Sequence, residues 1–302
     1  MSYSLRIYNV MRRKVFAGIA IIAFSATIGT AAAQDADSSH AWVSSLVFDL
    51  SGAQVGFDNW VEGGTNSLAG NMGLTGVWDQ TTSSWSQHYE VNLSYGLIKQ
   101  DTLEIRKAKD EIYLLAAWSR ENDTSTGVIH PTAGVSFRSQ FARGYNYDKN
   151  PFEESRDLPV LVSQFMSPGI FQESIGMSWT PNDWFSQHLG LASKQTIILE
   201  EDLRTLYGNE LDEEVRVEVG LDAITRMKID VAENIKYETS LGLFAAFDQL
   251  EKPDTRWDNT ITMRVNGWMR MTFDWTILFD ADVSDKAQFR ETFGVGITYT
   301  IL

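Results

Sequence analysis

Cysteine is absent from this chain of 302 residues, and histidine occurs only four times. The lack of cysteine excludes disulfide bonds and thiolate metal sites, and four histidines leave few ligands for metal chemistry. The sequence therefore predicts no catalytic residue, no cofactor and no metal site. Beyond residue 33 the chain also lacks a long apolar run, which excludes a membrane-spanning helix from that part of the protein.

Positive charge is also scarce, with 25 lysine and arginine residues against 40 aspartate and glutamate residues. The formal net charge is −15, and it becomes −19 without the first 33 residues, which carry four positive charges and no negative ones. A chain this acidic repels phosphate backbones, so we expect no binding to nucleic acid.

The first 33 residues have the three-part layout of an export signal. A basic stretch is followed by an apolar stretch at 15–28 and by small residues up to Ala33. This layout predicts cleavage between Ala33 and Gln34, which makes 1–33 a signal peptide and 34–44 a short periplasmic N-terminal tail.

Strict two-residue alternation is abundant, and it is the pattern of strands with one apolar and one polar face. It is clearest in three stretches, 89–97, 214–223 and 270–283. A soluble β-sandwich also alternates, but these stretches exceed the roughly five or six residues usual for strands of globular sheets. Their polar faces carry charges of both signs and their apolar faces end in Trp and Tyr, as strands that face lipid require.

About 12 strands are predicted, an even number, as closed bacterial barrels require. They cover 45–57, 67–79, 84–98, 109–118, 128–141, 169–180, 184–198, 214–225, 229–247, 256–265, 268–283 and 288–301. The predicted fold class is therefore all-β, a single transmembrane antiparallel up-and-down β-barrel over 45–302. We expect it in the outer membrane of a Gram-negative-type bacterium.

The connections between these strands alternate in length. Long ones include 143–168 and the acidic 199–213, whereas short ones include Met227-Lys228 and Asn266-Gly267, the latter a strong hairpin signal. We therefore expect long loops outside the cell and short turns in the periplasm, with both the N- and C-termini periplasmic.

The last strand resembles the assembly signal of outer-membrane proteins. Gly294, the apolar Ile297 and the aromatic Tyr299 occur at the spacing of that signal, although the chain ends in Leu302 where a terminal aromatic is more usual. The resemblance implies that the barrel-assembly machinery is a partner during insertion.

A glycine-rich stretch, 57–71, lies between the first two predicted strands. It lacks the Lys-Ser/Thr step and the helix of a phosphate-binding loop, so we interpret it as a turn in the first extracellular loop. The stretch also resembles a family of uncharacterised outer-membrane barrel proteins common in Bacteroidetes-type bacteria. The residues that carry this resemblance are Asn59, Trp60, Gly63, Gly64, Asn66, Ser67 and Leu68, with later matches at 94–99, 106–110, 137–145, 158–168 and 293–296. The resemblance implies fold and location but transfers no activity, because the family is a domain of unknown function.

Charged residues on the polar faces of the predicted strands are expected to line the barrel lumen. The candidates are Glu90, Arg138, Arg216, Glu218, Glu238, Arg264, Arg270 and Asp274. A mixed-charge lumen favours a porin-like channel for small polar solutes. The same groups could instead pair with one another and fill a barrel that acts through its extracellular loops, since smaller barrels are filled by side chains.

Two further hypotheses have less support. A lipid-active hydrolase is disfavoured because His88, His130 and His188 fall on inward positions and no Gly-x-Ser-x-Gly motif occurs. These histidines also lie on strands about 10 Å apart, too far for direct shared metal ligation. The acidic residues of 200–214 either solvate a loop or bind divalent cations at the lipopolysaccharide surface. Outer-membrane lipids and lipopolysaccharide are the expected surroundings. The sequence leaves the oligomeric state open, and also whether 143–168 folds inward or outward.

Overall fold

A computed structural model describes residues 41–56, 65–121, 129–152 and 154–302. The strands are β1 (Val43–Val55), β2 (Ser67–Thr81), β3 (Trp85–Gln100), β4 (Arg106–Arg120), β5 (Ile129–Ser139), β6 (Gly144–Asn146), β7 (Val160–Ser163), β8 (Gly169–Asn182), β9 (Phe185–Ile197), β10 (Val215–Ala232), β11 (Ile235–Ala246), β12 (Asp254–Arg264), β13 (Met269–Phe279) and β14 (Gln288–Thr300). A 3₁₀ helix, Glu201–Tyr207, follows β9. No helix within the described ranges is long and apolar enough to cross a membrane.

Twelve of these strands close into a barrel. Each pairs antiparallel with the next barrel strand along the chain, and β14 returns to pair with β1. The remaining two, β6 and β7, form a hairpin between β5 and β8. The predicted fold class, an all-β antiparallel up-and-down barrel of 12 strands, is confirmed.

The two ends of the barrel differ in their connections. One end, here called the turn end, carries short connections such as 183–184 and 233–234 together with the first residue of β1 and the last of β14. The opposite end, the loop end, carries 140–168 and 198–214. The connections therefore follow the predicted alternation except between β4 and β5, where the turn-end connection, 121–128, is longer than the loop-end connection 101–105.

Polar and apolar side chains are distributed inside-out. On β10, Val217, Val219 and Leu221 are exposed on the outer surface at 57%, 54% and 48%. Charged and amide groups are buried instead, with Lys194 5% and Asp222 3% exposed. Burial of charge is costly unless it is paired or hydrogen-bonded, so the interior has to satisfy these groups internally.

Large aromatic side chains concentrate at the turn end. Seven tryptophans lie there, near the first or last residue of a barrel strand or in a short turn: Trp42, Trp78, Trp85, Trp118, Trp179, Trp184 and Trp268. Five of them are 45–59% exposed, and Tyr299 on β14 adds a further ring at 70%. They form a belt around one rim.

The turn predicted at Met227-Lys228 is wrong, because β10 continues to Ala232 and the turn falls at 233–234. Thr225 is a polar residue on the otherwise apolar outer face of β10. Its hydroxyl donates to Gln187 Oε1 of β9 at 2.6 Å, so two polar groups satisfy each other on the outer surface without ending the strand.

The strand predicted over 268–283 is shorter than expected, since β13 ends at Phe279. Asp280 begins a turn in which its side-chain oxygen accepts from the Asp282 amide at 3.0 Å and its carbonyl accepts from the Ser284 amide at 2.9 Å. Asp competes with strand pairing through such local bonds, which alternation alone does not register.

The pairing between β1 and β14 closes the barrel and is here called the closing seam; it is shorter than the pairing between β1 and β2. It runs from Val47↔Thr300 to Gly52↔Val295, whereas β1 pairs with β2 along its whole length. Asp49 of β1 reinforces the seam on its inner face by accepting from the Thr298 hydroxyl and pairing with the Arg270 guanidinium of β13. This carboxylate links three strands across the closure.

Candidate functional site

An ion-paired cluster crosses the barrel interior at the level of Glu111. This β4 carboxylate accepts from Arg256 of β12 at 3.1 Å and also pairs with Arg138 of β5. Arg256 in turn binds Asp258 at 2.7 Å. In the strand order, β4 and β12 lie diametrically opposite, so the Glu111–Arg256 contact spans the lumen. These groups are hereafter called the central cluster.

A second network lies nearer the loop end and surrounds Lys194. The ammonium group contacts Glu218 at 2.8 Å and Asp254 at 2.5 Å, and its side chain is 6% exposed. Arg216 extends the network to Glu218 at 3.3 Å and to Asp282 in the β13–β14 connection at 2.5 Å. Two cations therefore serve three carboxylates, which leaves this network with an excess of negative charge.

The structure brings four of the eight sequence candidates into these two networks or their neighbourhood: Arg138, Arg216, Glu218 and Asp274. Asp274 reaches Lys109 of β4 at 3.8 Å, another contact between well-separated strands. Arg270 supports the seam instead.

The other three candidates lie toward the turn end. Glu90 is 3.9 Å from His88 Nε2, Glu238 is 3.2 Å from Lys228, and the exposed Arg264 donates to the Glu233 carbonyl at 3.3 Å.

A cavity of about 690 Å³ occupies the loop-end half of the lumen. The central cluster lines it from below, and Asn146, Lys149, Val162 and Tyr207 of the loops line it from above. The long segment 140–168 therefore contributes to the mouth of the lumen, a choice that the sequence left open.

Segments 140–168 and 198–214 hold each other at that mouth. The Tyr207 hydroxyl donates to the Val162 carbonyl at 2.7 Å, and the side-chain amide of Gln164 donates to Glu200 Oε2 at 2.8 Å. The backbone amide of Glu200 donates to the hydroxyl of the fully buried Ser167 at 2.9 Å. Burial raises the pKa of Tyr207 above its usual range, so its phenol remains a donor at physiological pH. We call this pair of segments the interlocked loops.

Lys107 and Asp110 fix the start of the first interlocked loop. The Asp110 carboxylate, 1% exposed, accepts from the Phe141 and Ala142 amides at 2.8 and 2.9 Å and from Lys107 Nζ at 2.9 Å. A Cβ on Gly144 would lie 2.3 Å from Ser163 Oγ and 3.0 Å from Lys107 Nζ, so a side chain here would displace these groups. The family-like segments 106–110 and 137–145 are thus joined in one contact, which we call the loop latch.

The three described histidines remain apart. His88 binds Asp79 at 2.6 Å, and His130 lies 3.4 Å from Glu121. His188 bridges Ser174 at 2.8 Å and Ser178 at 3.1 Å. Across the described ranges, no group of three or more His, Asp or Glu side chains is placed to hold a metal ion.

The surroundings of His188 do not have the order of a hydrolytic triad. A triad places the carboxylate on Nδ1 and the serine on Nε2. Here Nδ1 faces the Ser178 hydroxyl, and Asp222 lies 3.8 Å from Nε2, on the same side as Ser174. Both His188 and Asp222 are buried inside the barrel, away from lipid.

Sequence reasoning missed six members of the two networks: Glu111, Lys194, Asp254, Arg256, Asp258 and Asp282. Arg256 and Asp258 lie an even number of positions from Arg264 on the predicted strand 256–265. Alternation therefore puts all three on the same face and could have identified them as lumen candidates. Glu111 and Lys194 lie on the two strands with the weakest apolar alternation, where parity was a poor guide.

Several predicted sites lie outside the described residues, namely Ala33, Gln34, Asn59, Trp60, Gly63 and Gly64. The carbonyl of Asn66 accepts from the Asp101 amide at 2.8 Å, and Ser67 opens β2 opposite Gln100. On β14, Ile297 and Tyr299 are exposed on the outer face and Gly294 packs beside Ser51.

The fold and this interior define a closed 12-stranded β-barrel with a charged lumen. A family model described as "Protein of unknown function (DUF3078)" matches residues 53–145, the part that contains the loop latch residues Lys107, Asp110 and Gly144. No curated protein matches the chain.

Solved structures similar to the chain include other barrels. A NanC porin is 5% identical with a TM-score of 0.38, covering 84% of this chain and 98% of the porin. An outer membrane channel from Pseudomonas putida F1 is 11% identical with a TM-score of 0.36, covering 89% and 99%. The translocator domain of autotransporter NalP from Neisseria meningitidis is 11% identical with a TM-score of 0.34, covering 88% and 90%. These values carry no argument about activity.

Proposed function

We propose that the protein is an outer-membrane barrel of a Gram-negative, Bacteroidetes-type bacterium, with both termini in the periplasm. Exposed apolar side chains surround the barrel instead of forming one patch that a single partner could cover. A monomer in water would leave this whole surface in contact with solvent. The tryptophan belt fits a headgroup region, where aromatic rings with a polar edge are favoured. We place that rim in the periplasmic leaflet.

We further propose that the barrel is a channel for small polar solutes, closed in the conformation described here by the central cluster. The observation that carries this proposal is the Glu111–Arg256 contact across the lumen, directly below a 690 Å³ cavity. Ion pairs can separate and become hydrated, whereas an apolar plug would have to unpack. Charges at a constriction also set which solutes pass.

Conductance in planar bilayers tests the channel. Protein shown to be folded by heat-modifiable gel mobility should give reproducible open steps. Arg256→Gln should raise the fraction of time spent open, because it removes the guanidinium that reaches Glu111 across the lumen. Arg120→Gln is the matched control, since this exposed arginine at the turn end lines no part of the cavity.

The second candidate is a filled barrel that acts as a binding surface through its extracellular loops. The interlocked loops favour it, because their mutual hydrogen bonds hold a defined surface over the mouth of the lumen. Silent bilayers with folded protein, both for the natural sequence and for Arg256→Gln, would support this candidate over the channel. Its partner should then be lost when residues 147–158 are replaced by a short Gly-Ser linker.

The proposed surroundings are outer-membrane lipids and lipopolysaccharide. During insertion, the proposed partner is the barrel-assembly machinery, which would recognise Gly294, Ile297 and Tyr299. The outward exposure of Ile297 and Tyr299 supports this role, since both are accessible from outside the barrel.

A further inference from the structure

We propose that the lumen cavity contains a binding site for the oxyanion group, carboxylate or phosphate, of a small solute. The site is formed by four guanidinium groups, those of Arg138, Arg226, Arg256 and Arg290, which we call the arginine cluster. The inference names the class of solute that the lumen prefers and so deepens the proposed channel function. It rests on that function for the route by which the solute enters.

The four guanidinium groups share one space. All of them line the same cavity of about 690 Å³, although they come from four different strands. Arg226 and Arg290 lie in one row of strand partners, Arg226↔Ser240↔Asp258↔Thr276↔Arg290, with Asp258 between them. Arg138 and Arg256 meet at Glu111 on the facing wall.

Charge within the arginine cluster is incompletely compensated. Two carboxylates, Glu111 and Asp258, contact Arg138 and Arg256. Neither of the other two arginines has a carboxylate within 4 Å in the part of the chain that the structure describes. Arg290 reaches the Thr276 hydroxyl at 3.4 Å.

The guanidinium groups are also close enough to repel one another. Those of Arg138 and Arg256 both contact the same oxygen, Oε1 of Glu111. An added anion would relieve this repulsion, while an added cation would increase it.

The remaining carboxylates near the cavity are engaged elsewhere. Asp274 lies by Lys109, Glu90 by His88, and Asp254 by Lys194. Asp110 is held in the loop latch, and Asp280 accepts from the Asp282 amide. None of these carboxylates forms an ion pair with Arg226 or Arg290 within the described ranges.

Guanidinium groups bind carboxylate and phosphate through paired N–H donors, which makes arginine the preferred residue for such recognition. The room above the central cluster admits a small solute from the loop end, where the interlocked loops form the mouth. The structure therefore predicts anion preference in a protein whose net charge is −15.

Equilibrium binding tests the site without requiring transport. Isothermal titration of detergent-purified protein with inorganic phosphate, and separately with malonate, should show binding of at least one probe, and the stronger of the two identifies the oxyanion. The double substitution Arg226→Gln and Arg290→Gln should weaken that binding about tenfold or more, as expected when charge-assisted hydrogen bonds are lost. Arg120→Gln should leave it unchanged.

Reversal potentials in a salt gradient supply the second arm. Open channels should prefer chloride over potassium, and the double substitution should shift the reversal potential toward cation preference. Cation-preferring channels that bind neither probe would overturn the oxyanion site while leaving the channel intact. Silent bilayers with phosphate or malonate binding intact would overturn the channel and keep the site. Equal binding by the natural sequence and the double variant would overturn the arginine cluster as its location.

Discussion

At the scale of single residues, Asp110 shows how one buried carboxylate organises a long loop. It accepts two backbone amides and one ammonium group while only 1% of its side chain is exposed. Hydrogen bonds to a charged acceptor contribute more than neutral ones, and an acceptor that is lost leaves buried donors unsatisfied. The first turn of the loop after β5 depends on this group.

We predict that Asp110→Asn lowers the free energy of unfolding by about 2 kcal/mol and exposes segment 140–168 to protease. The amide keeps the shape of the side chain but replaces one acceptor oxygen with a donor that faces the Ala142 amide or Lys107. Limited proteolysis followed by mass spectrometry would locate the cuts. Asp212→Asn, an exposed carboxylate of the other interlocked loop, should leave the digestion pattern unchanged, and the same pattern in both variants would refute the role of Asp110.

The central cluster shows how far residue-level prediction reaches. Two-residue alternation predicted the inward face of Arg138 and Asp274 because that period depends only on local backbone geometry. It did not predict that Glu111 would meet Arg256, since that contact joins opposite walls and exists only after the barrel closes. Partners across a lumen depend on shear and strand number, which single-strand patterns do not contain.

At the scale of strands, most strands were predicted to within a few residues, and the errors arose where side chains interact. The polar pair Thr225 and Gln187 hid the continuation of β10, and the local turn at Asp280 ended β13 early. The hairpin of β6 and β7 was missed because its short strands, Gly144–Asn146 and Val160–Ser163, lie in a long polar segment. Propensity describes a strand in isolation, whereas these boundaries depend on neighbours.

We predict that Asp49→Asn weakens the β1–β14 seam. The substitution removes the ion pair with Arg270 and leaves that guanidinium without its partner, at a cost of about 1–2 kcal/mol. Urea titration in lipid vesicles, read by heat-modifiable gel mobility, should show a lower midpoint.

Asp230→Asn is the control for this measurement. Asp230 lies at the far end of β10, on the turn side, and forms no ion pair with any of the described residues. A midpoint that falls equally in both variants would show that the seam does not depend on Asp49.

At the scale of the whole molecule, the inside-out distribution of polarity is the strongest indication of environment. A polar interior with buried Lys194 and Asp222, and an apolar exterior that includes Ile175 and Leu189 at 66% and 58% exposure, is stable only where the exterior avoids water. The sequence predicted this arrangement through alternation, strand length, the mixed charges of the polar faces and the aromatic residues that end the apolar faces.

We predict that the tryptophan belt lies at one membrane interface. In vesicles, lipids brominated near the headgroup should quench tryptophan fluorescence more strongly than lipids brominated at the chain ends, because seven of the nine tryptophans in the described ranges lie at the turn end. Trp257 and Trp275 lie within β12 and β13, outside the belt. Replacing each of them by Phe separates their contribution to the fluorescence from that of the belt. Stronger quenching by chain-end bromine would contradict the belt. So would folded, monodisperse protein in water without detergent.

The interlocked loops have a consequence for how this surface can vary between related proteins. The donor of one segment meets the acceptor of the other, as Tyr207 meets the Val162 carbonyl and Gln164 meets Glu200. An insertion that displaces either side leaves a partner unsatisfied on the other, so the two segments have to diversify together. Antibodies raised against the folded protein should then recognise a composite epitope that neither segment reproduces as a linear peptide.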